Sequence, residues 1–491
     1  MQRFLKNLLP GLAVAAFAPA ALGFSLMGPP LAWQTTAWGY NDTVGDVLGG
    51  MRIAPMPLNA FYRLNITNIT YAFDESFIRY FGANGMKAVD DAFAILNAVP
   101  AADTINLDDY ANNTRLNNLQ AAQAGLMDVK SYTLETVFSY LGAAEPEINV
   151  WTIRDVRQDP LNPARTNFYI LQRNYDPYTL LPSSYVNGVL YTYRNMWVQN
   201  WRFNGGAPYL DAVEFPANLN NDQPYRTVAG RNLNGGEFYT GLSRDDMGCL
   251  KYLLSTNTLA VEGLFPGVTA SSSQFSVVGG WIGWMGNNAG TNNVFLLNSN
   301  SAYFVTPSTL AALNGSNFVT VGIRGGRQKI SFTKVQYDSI LGTGFVAVTN
   351  TFMDEVIVTN KLVTQKVQRI ITQPDIIFRA TDLNFWPDGT LVASTISNPT
   401  FVDDDALNGG TVEGGPGLVT GLPFIITYTT LTPGLFNYDP YFLDEQTSTA
   451  SFRWASFDNT PTPPFIYPDG PNRISIDELL NLVGSYTNTI R

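Results

Sequence analysis

The sequence predicts an α+β amino-terminal half followed by a β-rich, sandwich-like carboxy-terminal half. Three observations carry that prediction. Helical periodicity is concentrated before residue 267, and β-branched and aromatic runs separated by Gly and Asn clusters dominate after it. Hydrophobic residues make up 45% of the chain, a globular rather than a disordered composition. At 491 residues the chain exceeds one ordinary core, so two to four domains are expected.

The elements follow in order. Arg3 and Lys6 precede the apolar run Leu8–Phe24, which Pro10 and Pro19 interrupt. With Ala21-Leu22-Gly23 supplying small residues where a signal peptidase reads, residues 1–23 are expected to be a secretory signal cut near Gly23/Phe24. That run is short for a helical span of roughly 20 residues, and no later stretch is long and apolar enough, so no membrane span is expected after cleavage. The expected location is extracellular or on the cell surface. Residues 24–60 are punctuated by Gly and Pro yet carry Phe24, Leu26, Leu31, Trp33, Trp38 and Tyr40. They read as an extended apolar arm, packed either on its own chain or on a neighbouring subunit.

Residues 61–266 read as an α+β domain. Ile66–Phe73 has strand composition, Asp74 caps a helical turn Glu75–Phe81 closed by Gly82, and Met86–Val99 has helical periodicity. Further helices fit Leu116–Met127 and Leu134–Leu141, the second ending at Gly142. Strands fit Val150–Val156, Asn167–Arg173, Gly188–Asn195 and Trp197–Phe203. Arg244–Leu254 is a helix with Ser243 as N-cap and Asp246 supporting its first turn. Residues 267–491 read as β-rich, with strands that include Phe318–Ile323, Gln328–Val335, Phe345–Thr349, Asp354–Val358, Leu362–Thr372 and Phe424–Thr429. Arg324-Gly-Gly-Arg327 fits a hairpin turn between two of them. A terminal helix over Ile474–Tyr486 is capped by Ser475, with Glu478 at its third position.

Composition excludes whole classes of chemistry. The chain has no histidine, so it has no histidine base, nucleophile partner or metal ligand. Its net charge is −11 with only 14% charged residues, which argues against a nucleic-acid partner, since that requires clustered basic residues. Cys249 is the one cysteine and sits in an apolar stretch, as a buried inert thiol does. The adjacent acids Asp90/Asp91, Asp108/Asp109 and Asp245/Asp246 are formal candidates for paired-carboxylate catalysis, but neighbours on one element point in different directions. Asp403, Asp404 and Asp405 are calcium candidates on a loop, without the spaced pattern of a defined calcium site. Trp281, Trp284 and Met285 form an aromatic-glycine patch suited to a protein contact or a sugar ring, or else a core strand.

Three segments in a fixed order invite a family comparison: Ile69–Asp74 leading to Val89–Phe93, then Asp128–Pro146, then Leu242–Asp246 running into Leu250–Leu253. Together they resemble the opening strand and first helix, the active-site helix and the closing helix of matrixin or metzincin-type zinc peptidases. Registered on Gly142, the resemblance implies that the three zinc positions hold Glu135, Ser139 and Glu145, with Thr136 at the general-base position. The motif needs imidazoles one helical turn apart, so the resemblance implies a degenerate zincin-like fold over residues 61–254 without peptidase activity. The same residues also read as an ordinary amphipathic helix with Leu134, Val137, Phe138 and Leu141 on its apolar face. Leu242–Leu254 and Phe452–Asp458 are in addition similar to uncharacterised secreted families of environmental bacteria, which implies no function.

Two functional classes remain open. One is a secreted, non-catalytic structural protein without cofactors that self-assembles with copies of itself into filaments or sheets, its amino-terminal arm contacting a neighbour. The other is a secreted monomeric binding or carbohydrate-active protein built on the degenerate peptidase-like domain.

Overall fold

The structure is a computed structural model that describes residues 22–28, 33–34, 54–58, 60–199, 208–217, 227–230, 233–265, 267–278, 294–298, 301–305, 319–337, 345–358, 361–380, 400–402, 417–420, 424–428, 453–471 and 473–487. It is mixed α+β with substantial β content. In chain order the elements used below begin with strand β1 (Phe24–Gly28), strand β2 (Asn68–Phe73), helix α1 (Glu75–Asn97) and helix α2 (Val129–Tyr140). Strands β3 (Thr152–Asp159), β4 (Asn162–Leu171), β5 (Val189–Gln199) and β6 (Pro208–Pro216) follow, then helix α3 (Arg244–Leu254). Strands β7 (Ser331–Lys334), β8 (Val348–Val358), β9 (Lys361–Ile371), β10 (Ile376–Ala380) and β11 (Phe424–Tyr428) lead to helix α4 (Ile476–Thr487).

A parallel four-stranded sheet in the order β7-β2-β10-β11 organises the core. Parallel strands are buried on both faces, and β2 reads accordingly as the near-continuous buried run Ile-Thr-Tyr-Ala-Phe. Asp74 ends β2 and starts α1: its Oδ1 accepts the Phe77 N–H at 3.0 Å, and its Oδ2 accepts from Arg379 Nε at 2.8 Å. Helix α1 then buries Phe77, Phe81, Val89, Phe93 and Leu96 at helical spacing against the sheet. Gly82 interrupts it with φ 58, as the two-piece sequence reading expects. Aromatic rings fill the layer between, with Tyr71 stacked on Phe93 at 3.9 Å and Phe73 5.5 Å from Phe378. Every residue of α2 except Lys130 is buried.

Three of the four strands come from beyond residue 330, so a boundary at 266/267 would cut through this sheet. Parallel neighbours need crossovers of a dozen residues or more, so no local pattern marks the partner of β2. A second sheet of five strands, Ala260–Gly263, Val321–Arg324, β8, β9 and Val268–Val278, is antiparallel. Its β9 strand alternates as a one-sided strand must, with Val363, Gln365, Val367, Arg369 and Ile371 buried.

Three local expectations are corrected. The helix over Leu116–Met127 is instead a strand Arg115–Asn117, a five-residue helix Leu119–Gln123 and a strand Leu126–Asp128, because the Asn118 side chain caps the Ala121 N–H and the flanking strands pair with Glu237–Tyr239 and Arg453–Ser456. Arg324–Arg327 is not a hairpin turn. Val321–Arg324 pairs with Ala260–Gly263, whereas β7 pairs with β2, so the segment carries the chain from one sheet to the other. Phe24 and Leu26, expected on an arm that reaches a neighbour, are core residues of their own chain. There β1 hydrogen-bonds with Asn174–Tyr175, Ala143–Ala144 and Ala54–Pro55, and Phe24 lies 5.3 Å from Tyr252. Trp33 is half-buried, with the Arg154 guanidinium 4.4 Å over its ring, and Leu31, Trp38 and Tyr40 lie outside the described residues.

Candidate functional site

Asp128 caps α2 by accepting the Ser131 N–H at 2.9 Å and the Ser131 hydroxyl at 2.6 Å, and that hydroxyl accepts the Tyr239 N–H at 2.9 Å. The hydroxyls farther along α2 turn back on the helix. Thr136 donates to the Tyr132 carbonyl at 2.9 Å, and Ser139 donates to the Glu135 carbonyl at 3.1 Å. Thr136 and Ser139, at the general-base and second zinc positions of the peptidase-like register, are therefore occupied within their own helix. Glu135 is buried, while Glu145 is half-buried at the start of the short helix Pro146–Asn149. Gly142 follows α2 with φ 113, and its N–H donates to the Ser139 carbonyl at 3.0 Å.

Helix α3 faces this region. Ser243 and Asp246 form a capping box, and the Asp246 carboxylate also accepts the Val228 and Ala229 N–H groups at 3.0 and 3.1 Å. Glu147, which no sequence motif singled out, accepts the Thr227 N–H at 2.6 Å. These acids surround Tyr239, whose hydroxyl donates to the Thr227 carbonyl at 2.9 Å. Burial pushes the Tyr239 hydroxyl well above the usual phenol range, and the charges of Glu135, Glu147 and Asp246 add to it. Burial likewise pushes the Cys249 thiol well up, which makes it a poor nucleophile.

Among the described residues, no three Asp, Glu or Cys side chains come together as a metal-ligand group. A crevice lined by Leu96, Val99, Leu141, Leu250, Leu254 and Phe332 has a volume of about 10 Å³, at most one water in an apolar wall. The paired acids separate as their elements dictate. Asp90 accepts from the Tyr71 hydroxyl at 2.9 Å and from Lys334 at 2.8 Å, while Asp91 pairs with Lys87 at 2.5 Å. Asp403, Asp404 and Asp405, and Trp281, Trp284 and Met285, lie outside the described residues. Among the described residues no helix is long and apolar enough to cross a membrane.

The most elaborate polar clusters are ones that sequence reasoning missed. Arg324 donates to both oxygens of Asp354, Arg327 reaches Asp354 Oδ1 at 2.8 Å, and Gln365 donates to Oδ2 at 2.8 Å. The Arg-Gly-Gly-Arg spacing was the visible signal, but its carboxylate partner lies 27 residues further on from Arg327. Burial alone would raise the Asp354 carboxyl, yet the two guanidiniums and Gln365 more than offset it and hold it at about 2, below its ordinary 3.8. A carboxyl whose folded pKa is depressed contributes stability above its unfolded pKa and loses it as pH falls through the folded one. Acid titration of unfolding is thus expected to show about 2 kcal/mol lost between about pH 4 and pH 2, a step that Asp354→Asn removes.

No protein-family model, no curated protein and no solved structure matches this chain.

Proposed function

We propose that the chain is an exported, non-catalytic structural subunit that joins copies of itself through its β3–β4 ribbon. One observation carries this reading. Among the described residues the strand ladder of β4 is with β3 alone, while β3 packs Ile153 against Ala212 of β6, and the ribbon exposes Leu161 (94% accessible), Phe168 and Tyr169. Leu190 and Tyr193 on β5 are exposed as well. A two-stranded ribbon is marginal alone in water, and an open edge bearing apolar side chains is a template for strand addition. The partner that fits is a second copy. Strand β4 carries Arg165 as its one charged residue, so two antiparallel β4 edges meet with little repulsion in a self-complementary contact.

The surrounding chemistry supports a structural role. The chain has no histidine, and Asp74, Asp128, Asp246 and Asp354 are engaged in helix caps and ion pairs. In the same proposal residues 61–254 are a metzincin-like scaffold without its zinc positions. The order β2, α1, α2, α3 supports that ancestry, and the completion of the sheet by β7, β10 and β11 weighs against it. The five-stranded antiparallel sheet supports a β-rich carboxy-terminal part.

The exported protein, run on a sizing column and viewed by negative stain, is expected to form polymers or closed oligomers. The double substitution Phe168→Asp/Tyr169→Asp is expected to return it to monomer with an unchanged circular-dichroism spectrum. A wild-type chain that stays monomeric at all concentrations overturns the proposal, and glycan binding by such a monomer would favour the carbohydrate-binding alternative.

A further inference from the structure

The beginning of β1 meets a carboxylate that no cationic side chain among the described residues neutralises. Asp245, in the first turn of α3, is 1% exposed. Its Oδ2 accepts the Asn187 N–H at 2.6 Å and the Gly23 N–H at 3.0 Å, but its buried Oδ1 accepts no hydrogen bond. No cationic side chain pairs with it among the described residues, and the charges of the acids Asp246 and Glu147 act against its ionisation. The first turn of a helix favours an anion. That field does not provide a partner for Oδ1, and a buried charge without a counter-ion is strongly disfavoured.

Gly23 is built into the same spot. A Cβ there would lie 2.0 Å from Asn174 Nδ2 and 2.3 Å from the Tyr185 carbonyl oxygen, so only glycine fits. The Asn174 side chain that closes over Gly23 donates through Nδ2 to the Ser183 and Tyr185 carbonyls at 3.1 and 2.7 Å, and its buried Oδ1 has no partner. Two unmet acceptors, Asp245 Oδ1 and Asn174 Oδ1, therefore belong to the two side chains that close on Gly23, whose nitrogen offers one proton as a peptide N–H. A terminal ammonium offers three protons and a positive charge.

We infer that the chain is cut between Leu22 and Gly23, and that the α-ammonium released on Gly23 forms a buried ion pair with Asp245. An exported endopeptidase and one water suffice. The water oxygen bonds to the Leu22 carbonyl carbon as the C–N bond breaks, Leu22 leaves as a carboxylate, and both water protons end on the Gly23 nitrogen. The cut falls one bond before the Gly23/Phe24 position expected from the leader and leaves Leu22, not a small residue, before the bond. It is therefore assigned to an exported endopeptidase that does not read the small-residue pattern. Cutting after Gly23 would remove the nitrogen that meets Asp245. Release of Leu22 frees the Ser183 hydroxyl, which donates to its carbonyl at 2.5 Å, while Ser183 still accepts the Tyr185 N–H at 3.2 Å.

The inference rests on the export part of the proposed function and not on assembly. The test is amino-terminal sequencing with intact mass on the full chain expressed with its leader in an exporting host. A terminus at Gly23 is expected. A retained leader overturns both export and this pairing, whereas a terminus at Leu22 or Phe24 overturns the pairing alone. The buried amine should also react with an amine-acylating ester about 100-fold more slowly in the native protein than in the unfolded one. Asp245→Asn should remove most of that protection. Native labelling as fast as unfolded labelling, or unchanged protection in Asp245→Asn, overturns the ion pair, and the wild-type measurements decide the matter if that variant does not fold.

Discussion

Arg63→Ala is expected to lower the unfolding free energy by about 3–5 kcal/mol, the range for removing one partner of a buried pair. Arg63 has no exposed side-chain surface, and its Nε lies 2.6 Å from Glu262 Oε1. Its remaining donors reach the Leu253, Thr258 and Arg324 carbonyls at 3.1, 2.8 and 3.0 Å. One guanidinium thus gathers the end of α3, the loop after it and the Val321–Arg324 strand. Among the described residues alanine leaves Glu262 buried with Asn65 Nδ2 at 2.6 Å as its side-chain partner, and it strips three carbonyls of the Arg63 donor. The control is the double variant Arg63→Met/Glu262→Met, which removes both charges at similar volume and is expected to be far milder. Urea unfolding of the three proteins measures the difference. If Arg63→Ala matches the double variant, the stranded carboxylate is not the source of the loss.

Local signals in the sequence reached as far as the residues that make local bonds. The Asp74 cap, the break at Gly82, the Ser243–Asp246 box and the Ser475–Glu478 cap are all read within three or four residues, and each stands in the structure. The short strands around Leu119–Gln123 were missed because their apolar residues fall at helix-like spacing while their partners lie more than a hundred residues away. The same limit hid the central sheet, in which β2 lies beside strands some 260 to 300 residues later. It also hid the ion pairs. Arg63 and Glu262 are 199 residues apart, and no spacing rule connects them. The arm was legible as apolar, but composition does not say whether a neighbour or the chain itself receives it. The buried pairing of β1 with Asn174–Tyr175 and Ala143–Ala144 is information held only in the tertiary contacts.

Gly142→Ala is expected to cost about 3 kcal/mol or more, combining positive-φ strain with a backbone clash. Gly142 is the residue on which the peptidase-like register was anchored, and its requirement has a local cause. Its φ is 113, and a Cβ would lie 2.1 Å from the Tyr62 carbonyl oxygen, where nothing flexible can give way. Its own carbonyl accepts the Met27 N–H at 2.9 Å, so any shift that relieves the contact disturbs β1 as well. Gly125→Ala separates the two effects. Gly125 has φ 62 but nothing within 4 Å of its Cβ position, so that change should cost only the conformational strain of about 1 kcal/mol. Urea denaturation of both variants gives the comparison. Equal losses would mean that φ alone explains Gly142, while a larger loss at Gly142 assigns the excess to the close approach of Tyr62. On that outcome the glycine is required by packing of α2 against the Tyr62–Arg63 strand, whether or not a metal ever occupied the turn.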